Sequence, residues 1–197
     1  MPPKVLCWSC EKEWEMGSQP VICSACGKVQ KVAPNVSPYV VFGYDNPSFN
    51  LDAEELETRW LRRSRRCHPD RYAMRDAAER RYAVEQMAAT NDAYKMLSND
   101  ISRGAFLIEQ KGWPTDIFPP EEFLMDMMEA QESAHDAGAN KVTLQADFEG
   151  RFAKDREVLG EVLDAGTGTP EEAAGALTRL RYFQRVLDAL KGQAPEV

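Results

Sequence analysis

No run of apolar residues in this 197-residue chain approaches the ~18–20 needed to cross a bilayer, so no transmembrane helix is expected and no membrane partner is implied. The opening segment, Met1-Pro2-Pro3-Lys4-Val5-Leu6-Cys7-Trp8, lacks both an apolar core and an Arg/Ser-rich amphipathic pattern. It does not read as a signal or transit peptide. Positive charge is in deficit: 24 Lys and Arg face 32 Asp and Glu, giving a net charge of −8 and a pI near 4.9. That balance argues against a general nucleic-acid binder. Signatures of catalysis are missing too. There is no P-loop, no zinc-protease helix and no nucleophile elbow, so no enzyme is expected. What remains is the composition of an ordinary folded protein, 43% hydrophobic and 28% charged, with length for one domain or two small ones.

Charge is unevenly spread. Nine arginines lie between Arg59 and Arg81 against Asp70, Asp76 and Glu79, a net +6 that leaves −14 for the rest of the chain. From Ile117 to Asn140 there is no Lys or Arg but there are six acids: Glu121, Glu122, Asp126, Glu129, Glu132 and Asp136. A basic surface and an acidic surface on one chain suggest two partners of different character, although two solvated helix faces would produce the same pattern.

Three regions separate. Residues 1–36 hold paired cysteines and run into Ala33-Pro34-Asn35-Val36-Ser37-Pro38, which reads as a linker. Residues 37–112 are rich in Arg, Ala and aromatics and close at Lys111-Gly112-Trp113-Pro114. Residues 118–192 again have helical patterning. Leu56, Trp60, Arg63 and Cys67 form a stripe at helical spacing behind an N-cap at Asp52, and Pro69 ends that helix at His68. Ala83, Met87, Thr90, Tyr94 and Leu97 mark the next helix, and Ile101–Gln110 a short one after Ser98-Asn99-Asp100. One helix starts near Pro120. A second runs from Thr143 to Leu163 with Leu144, Phe148, Phe152 and Leu159 inward, broken by Gly166-Thr167-Gly168. A third begins at Thr169-Pro170-Glu171-Glu172 and buries Leu177, Leu180, Gln184, Leu187 and Leu190. The body is expected to be all-α: a helical hairpin domain, then a three-helix bundle.

Five cysteines is an odd number, and four of them form two C-x2-C pairs, Cys7/Cys10 and Cys23/Cys26. Such a distribution fits metal ligation in a reduced compartment better than a disulfide framework. Each C-x2-C turn points two thiolates at one ion, and two turns complete a tetrahedral site. A segment of ~25 residues cannot bury a core of its own, so metal binding would supply its folding free energy. A structural, zinc-ribbon-like module is expected, with iron or a redox dithiol pair as the alternatives. Cys67, on the apolar stripe, is expected to be a buried free thiol.

The stretch Arg62-Arg63-Ser64-Arg65-Arg66-Cys67-His68-Pro69-Asp70-Arg71 ends an arginine-rich helix in His-Pro-Asp. Rigid Pro69 would present His68 and Asp70 at the tip of a hairpin, beside guanidinium groups suited to an acidic partner. Together with Asn91-Asp92-Ala93-Tyr94-Lys95-Met96-Leu97 in the following helix, this resembles the J-domain, the DnaJ-type module that activates DnaK-class chaperones. The resemblance implies that His68, Pro69 and Asp70 stimulate ATP hydrolysis by the partner chaperone, with Arg59, Arg62, Arg63 and Arg66 in docking.

Phe123 to Glu132 carries two apolar stripes. Phe123, Met127, Ala130 and Ala134 can face a core, whereas Leu124, Met125 and Met128, flanked by Glu129 and Glu132, point elsewhere and suggest an adaptable docking surface rather than one wide core face. Together with Ser102-Arg103-Gly104-Ala105-Phe106-Leu107-Ile108 and Leu180-Arg181-Tyr182-Phe183, this segment resembles HscB, the J-domain co-chaperone family of iron–sulfur cluster assembly. The likeness covers roughly residues 37–191, and the cysteine module resembles that of animal members. It implies an IscU-type scaffold protein bound at Leu124, Met125, Met128, Glu129, Glu132 and Tyr182, and an HscA-class chaperone as the second partner. A general DnaJ-like co-chaperone for another client, or a cysteine-based metal or redox regulator, are the alternative functions. A homodimer is left open, and the expected location is the bacterial cytoplasm, with an organellar matrix as the alternative.

Overall fold

A computed structural model describes residues 4–15, 20–136 and 140–192. Residues 1–3, the start of the segment lacking a targeting pattern, lie outside them. Contacts divide the chain into two compact units: residues 1–47 with 51–99, and residues 48–50 with 100–197.

The first unit begins with β1 (Lys4–Leu6) and β2 (Glu13–Glu15), an antiparallel pair that leads in and out of the first cysteine turn. An isolated bridge between Ile22 and Val29 does the same for the second turn. The short α1 (Pro38–Phe42) follows, ended by Gly43 in the left-handed region (φ 72°). This helix occupies part of the stretch that reads as a linker and the residues just after it, because Tyr39, Val41 and Phe42 are all buried.

The hairpin is α2 (Ala53–Cys67) and α3 (Ala77–Ser98), joined through a 3₁₀ turn over Pro69–Tyr72. Asp52 caps α2 by accepting from the amides of Glu54 and Glu55, and Asp76 caps α3 by accepting from Glu79. Contacts between the two helices run in opposite senses along the chain, which makes them antiparallel. Trp60 stacks on Tyr94 (4.7 Å) and donates to Asn91 (3.1 Å), Arg63 bonds Thr90 and Gln86, and the buried Cys67 thiol lies against Met87 and Thr90.

The second unit contains α4 (Asp100–Gln110), α5 (Glu121–His135), α6 (Lys141–Gly160) and α7 (Pro170–Leu190). Here α4 packs with the later helices, whereas the sequence pattern groups it with the hairpin. Gly104 allows close approach: a Cβ there would sit 3.3 Å from Leu159 and 3.4 Å from Phe49. The strip Ser48–Asn50 is held by Asp164, which accepts from the amides of Phe49 (2.6 Å) and Asn50 (2.8 Å). The α-helix expected to reach Leu163 stops at Gly160 and widens into a π-turn over Glu161–Ala165 before Gly166. A capping box between Thr169 and Glu172 starts α7. Met127, Ala130, Phe148, Phe183, Val186 and Leu187 form the bundle core. Gln184 is only half-buried and bonds Asp188, and its expected place in the core is taken by Phe183 and Val186. No helix among the described residues is long and apolar enough to cross a membrane.

Candidate functional site

The corner between α2 and α3 is open to solvent. His68 leaves the helix with polyproline-like backbone (φ −57°, ψ 125°), a conformation that the following proline favours. Its Nδ1 accepts from the amide of Asp70 (3.4 Å) and lies 3.6 Å from the Asp70 carboxylate. The side chains of His68 and Asp70 are 49% and 89% exposed, so the tip is presented and not packed away. Two side chains tie the corner to the last turn of α2: Tyr72 donates to the Arg66 carbonyl (2.6 Å) and Arg71 to that of Arg65 (3.1 Å). Both acceptors are among the carbonyls left unpaired at a helix end.

The arginines that the sequence singles out divide into two kinds. Arg62 and Arg66 are exposed and rim a cleft of about 570 Å³. Arg59 is held in the chain. It donates to the carbonyls of Phe42 and Gly43 (2.9 Å each), pairs with Glu55 (2.7 Å) and stacks over the Tyr44 ring at 4.2 Å. Arg63 lies between the helices, donating to Thr90 (3.1 Å) and Gln86 (2.7 Å), and burial brings its guanidinium down to about 10. Arg65, Arg71 and Arg75 are exposed and extend the basic surface around the corner. Arg65 and Arg71 belong to the arginine-rich stretch around His-Pro-Asp, whereas membership of the +6 segment is the sole sequence signal for Arg75.

On α5 the two stripes separate as their spacing suggests. Met127 (2% exposed), Ala130 and Ala134 are buried, whereas Met125 and Met128 are each 64% exposed. Glu129 and Glu132 are exposed beside them, and Leu124 is half-buried. On α7, half-buried Tyr182 meets Phe123 edge-on (5.5 Å), with Arg185 over its ring at 5.3 Å. The structure thus leaves an apolar, acid-rimmed strip on α5 without a covering element among the described residues.

The four paired cysteines converge. Their Sγ atoms all lie within 4.8 Å of one another, with Cys7–Cys26 and Cys10–Cys23 at 3.7 Å. A tetrahedral ion with Zn–S bonds of ~2.3 Å has sulfur–sulfur edges of ~3.8 Å, so the donor set fits such an ion. Burial opposes ionisation of Cys7, but amide hydrogen bonds from Ser9 and Cys10 and the neighbouring thiols outweigh it and bring it to about 6. The amide of Lys12 favours the Cys10 thiolate, yet burial and the surrounding thiols push it up to about 12. Four thiolates this close repel one another unless a cation sits among them. Soft donors in this geometry suit zinc, or iron as the alternative, and leave no open position for catalysis.

A family model described as the HSCB C-terminal oligomerisation domain matches residues 119–191. A mouse protein named iron-sulfur cluster co-chaperone protein HscB is 28% identical over 191 residues, covering 94% of this chain and 81% of its own. A co-chaperone protein HscB homolog from Bordetella pertussis is 30% identical over 154 residues, covering 75% of this chain and 90% of its own. The crystal structure of human co-chaperone protein HscB superposes with a TM-score of 0.82 at 25% identity, covering 95% of this chain and 97% of that one. The fold, the cysteine cluster and these similarities agree: the chain belongs to the HscB co-chaperone family.

Proposed function

We propose that the protein binds an IscU-type iron–sulfur scaffold and stimulates the ATPase of a DnaK/HscA-class chaperone, promoting cluster transfer from the scaffold. The observation that carries this reading is the solvent-exposed His68-Pro69-Asp70 corner backed by outward arginines, on a chain that also bears an uncovered Met125/Met128 strip. The names of the relatives support iron–sulfur cluster work as the setting.

Mechanistically the chain is a tether with two ends. Arg62 and Arg66 offer planar, always-charged donors to carboxylates on the chaperone and steer its approach. Arg59 and Arg63 stiffen the hairpin and keep the corner in place. Asp70 keeps an exposed carboxylate for chaperone groups, on a backbone whose amide donates to His68 Nδ1 at 3.4 Å. On α5, Met125 and Met128 supply adaptable apolar contact, and Glu129 and Glu132 rim it with charge. Holding the scaffold on one unit raises its effective concentration at the chaperone engaged by the other. The chain itself makes and breaks no bond; hydrolysis occurs in the partner. Cys7, Cys10, Cys23 and Cys26 would hold a structural metal ion, which supplies folding free energy to their module. A reduced compartment such as the bacterial cytoplasm is the proposed setting for such thiolates.

Calorimetric titration with the scaffold, paired with single-turnover ATP hydrolysis by the chaperone, tests both ends. Saturable binding and faster hydrolysis are expected. Faster hydrolysis without scaffold binding would instead identify a general co-chaperone for another client.

A further inference from the structure

The second cysteine turn is more than a separate staple, because it grips the hairpin at the turn that follows the corner. Lys28 donates to Asp76 (2.8 Å) and lies 3.9 Å from Glu79, so it holds the residue that caps α3 and one from that helix's first turn. Val29, fully buried, packs with Tyr72 and Ala83, and Tyr72 anchors the corner to Arg66. The Gln30 carbonyl accepts from Gln86 (2.9 Å), whose other amide atom accepts from Arg63. The first cysteine turn joins the same brace. Trp8, between Cys7 and Cys10, donates to the Val29 carbonyl (2.7 Å) and packs on Tyr82 (5.4 Å).

Lys28, Val29 and Gln30 directly follow Cys26 and Gly27, and the turn they leave is closed by the Cys23 amide bonding the Lys28 carbonyl (2.9 Å). Their placement depends on the second C-x2-C turn keeping its shape. Resting on the reading above, in which the thiolates hold metal and the corner triggers hydrolysis, we propose that Lys28, Val29 and Gln30 are positioning residues. Through them, metal occupancy of the four-cysteine site sets the rigidity of the His68-Pro69-Asp70 corner and hence its power to stimulate the chaperone.

The physical basis is linkage. A module this small derives its folding free energy from the ion, so losing the ion loosens the turn. Tyr72 then loses its Val29 backing, and Asp76 loses its cation. The segment from residue 70 to 80, which takes in the end of the 3₁₀ turn and the first turn of α3, would open locally, whereas the α2–α3 contacts at Trp60/Tyr94, farther from the brace, would hold.

Hydrogen exchange on the full chain reads this out, comparing zinc-reconstituted protein with protein stripped by a chelator. Stripping is expected to raise exchange ~10-fold or more over residues 70–80, while α5–α7 change little. Lys28→Ala, which keeps all four thiolates, is expected to retain one metal per chain yet show faster exchange at 76–80 and weaker chaperone stimulation. Lys28→Arg, which keeps a cation for Asp76, is expected to restore both. Unchanged exchange over 70–80 in stripped protein whose four thiols have become reactive would overturn the coupling alone. A chain that takes up neither zinc nor iron would overturn it together with the metal reading.

Discussion

Replacing Arg63 by Ala separates a strut from a docking residue, two roles that the same arginine-rich helix could give it. Its guanidinium donates to Gln86, which is fully buried, and to Thr90, also buried. Hydrogen bonds to charged groups contribute about 1.5–3 kcal/mol, and a buried acceptor left without its donor costs about 1–3 kcal/mol. Gln86 keeps its bond to the Gln30 carbonyl, and Thr90 keeps its own to the Gln86 carbonyl, so the two costs overlap. A loss of about 2–4 kcal/mol follows for Arg63→Ala. For Arg62→Ala, on the exposed face, stability should change by about 0.5 kcal/mol or less. Urea titration followed by circular dichroism measures both. Chaperone affinity at low and moderate salt supplies the complementary reading: Arg62→Ala weakens binding, and the deficit shrinks as salt screens it. An Arg63→Ala protein as stable as the parent, with its chaperone affinity lost, would refute this division and return Arg63 to the docking surface.

Two further outcomes are expected. Met125→Ala with Met128→Ala should weaken scaffold binding by about 1–2 kcal/mol for each residue, since central interface truncations often cost this much, with the melting temperature unchanged because both side chains are exposed; equal calorimetric affinity for variant and parent would remove them from the interface. Cys67 should resist alkylation at neutral pH in the native chain and react after unfolding, because burial raises its thiol and closes access, and mass spectrometry of labelled peptides decides this.

Much of the fold is written locally. The helices from residue 53 onward have caps, breakers and apolar stripes close together in the chain, and Asp52, Pro69 and Thr169 act where their chemistry suggests. The two faces of α5 are likewise readable, because Met127 and Met128 are one residue apart and a helix turns them about 100° from each other. Helix α1 is not readable: five residues span too few turns for periodicity, and flanking prolines give a loop signal. Arg63 carried two signals at once, a place on the stripe of Leu56, Trp60 and Cys67 and a charge that argued for the surface. The structure sides with the stripe, since Gln86 and Thr90 supply buried polar partners. Arg59 faces inward for a reason the sequence hides, two carbonyls at the end of α1. The brace from Lys28 to Asp76 joins residues 48 apart, a distance no local pattern spans.

Asp70→Asn in single-turnover hydrolysis by the DnaK/HscA-class chaperone, with scaffold present, decides whether the exposed corner triggers the partner. The Asp70 side chain is 89% exposed and approaches His68 at 3.6 Å, so the variant should fold and bind scaffold as the parent does. Hydrolysis falling to the rate of chaperone and scaffold alone is the predicted result. Full acceleration by that variant would contradict the account.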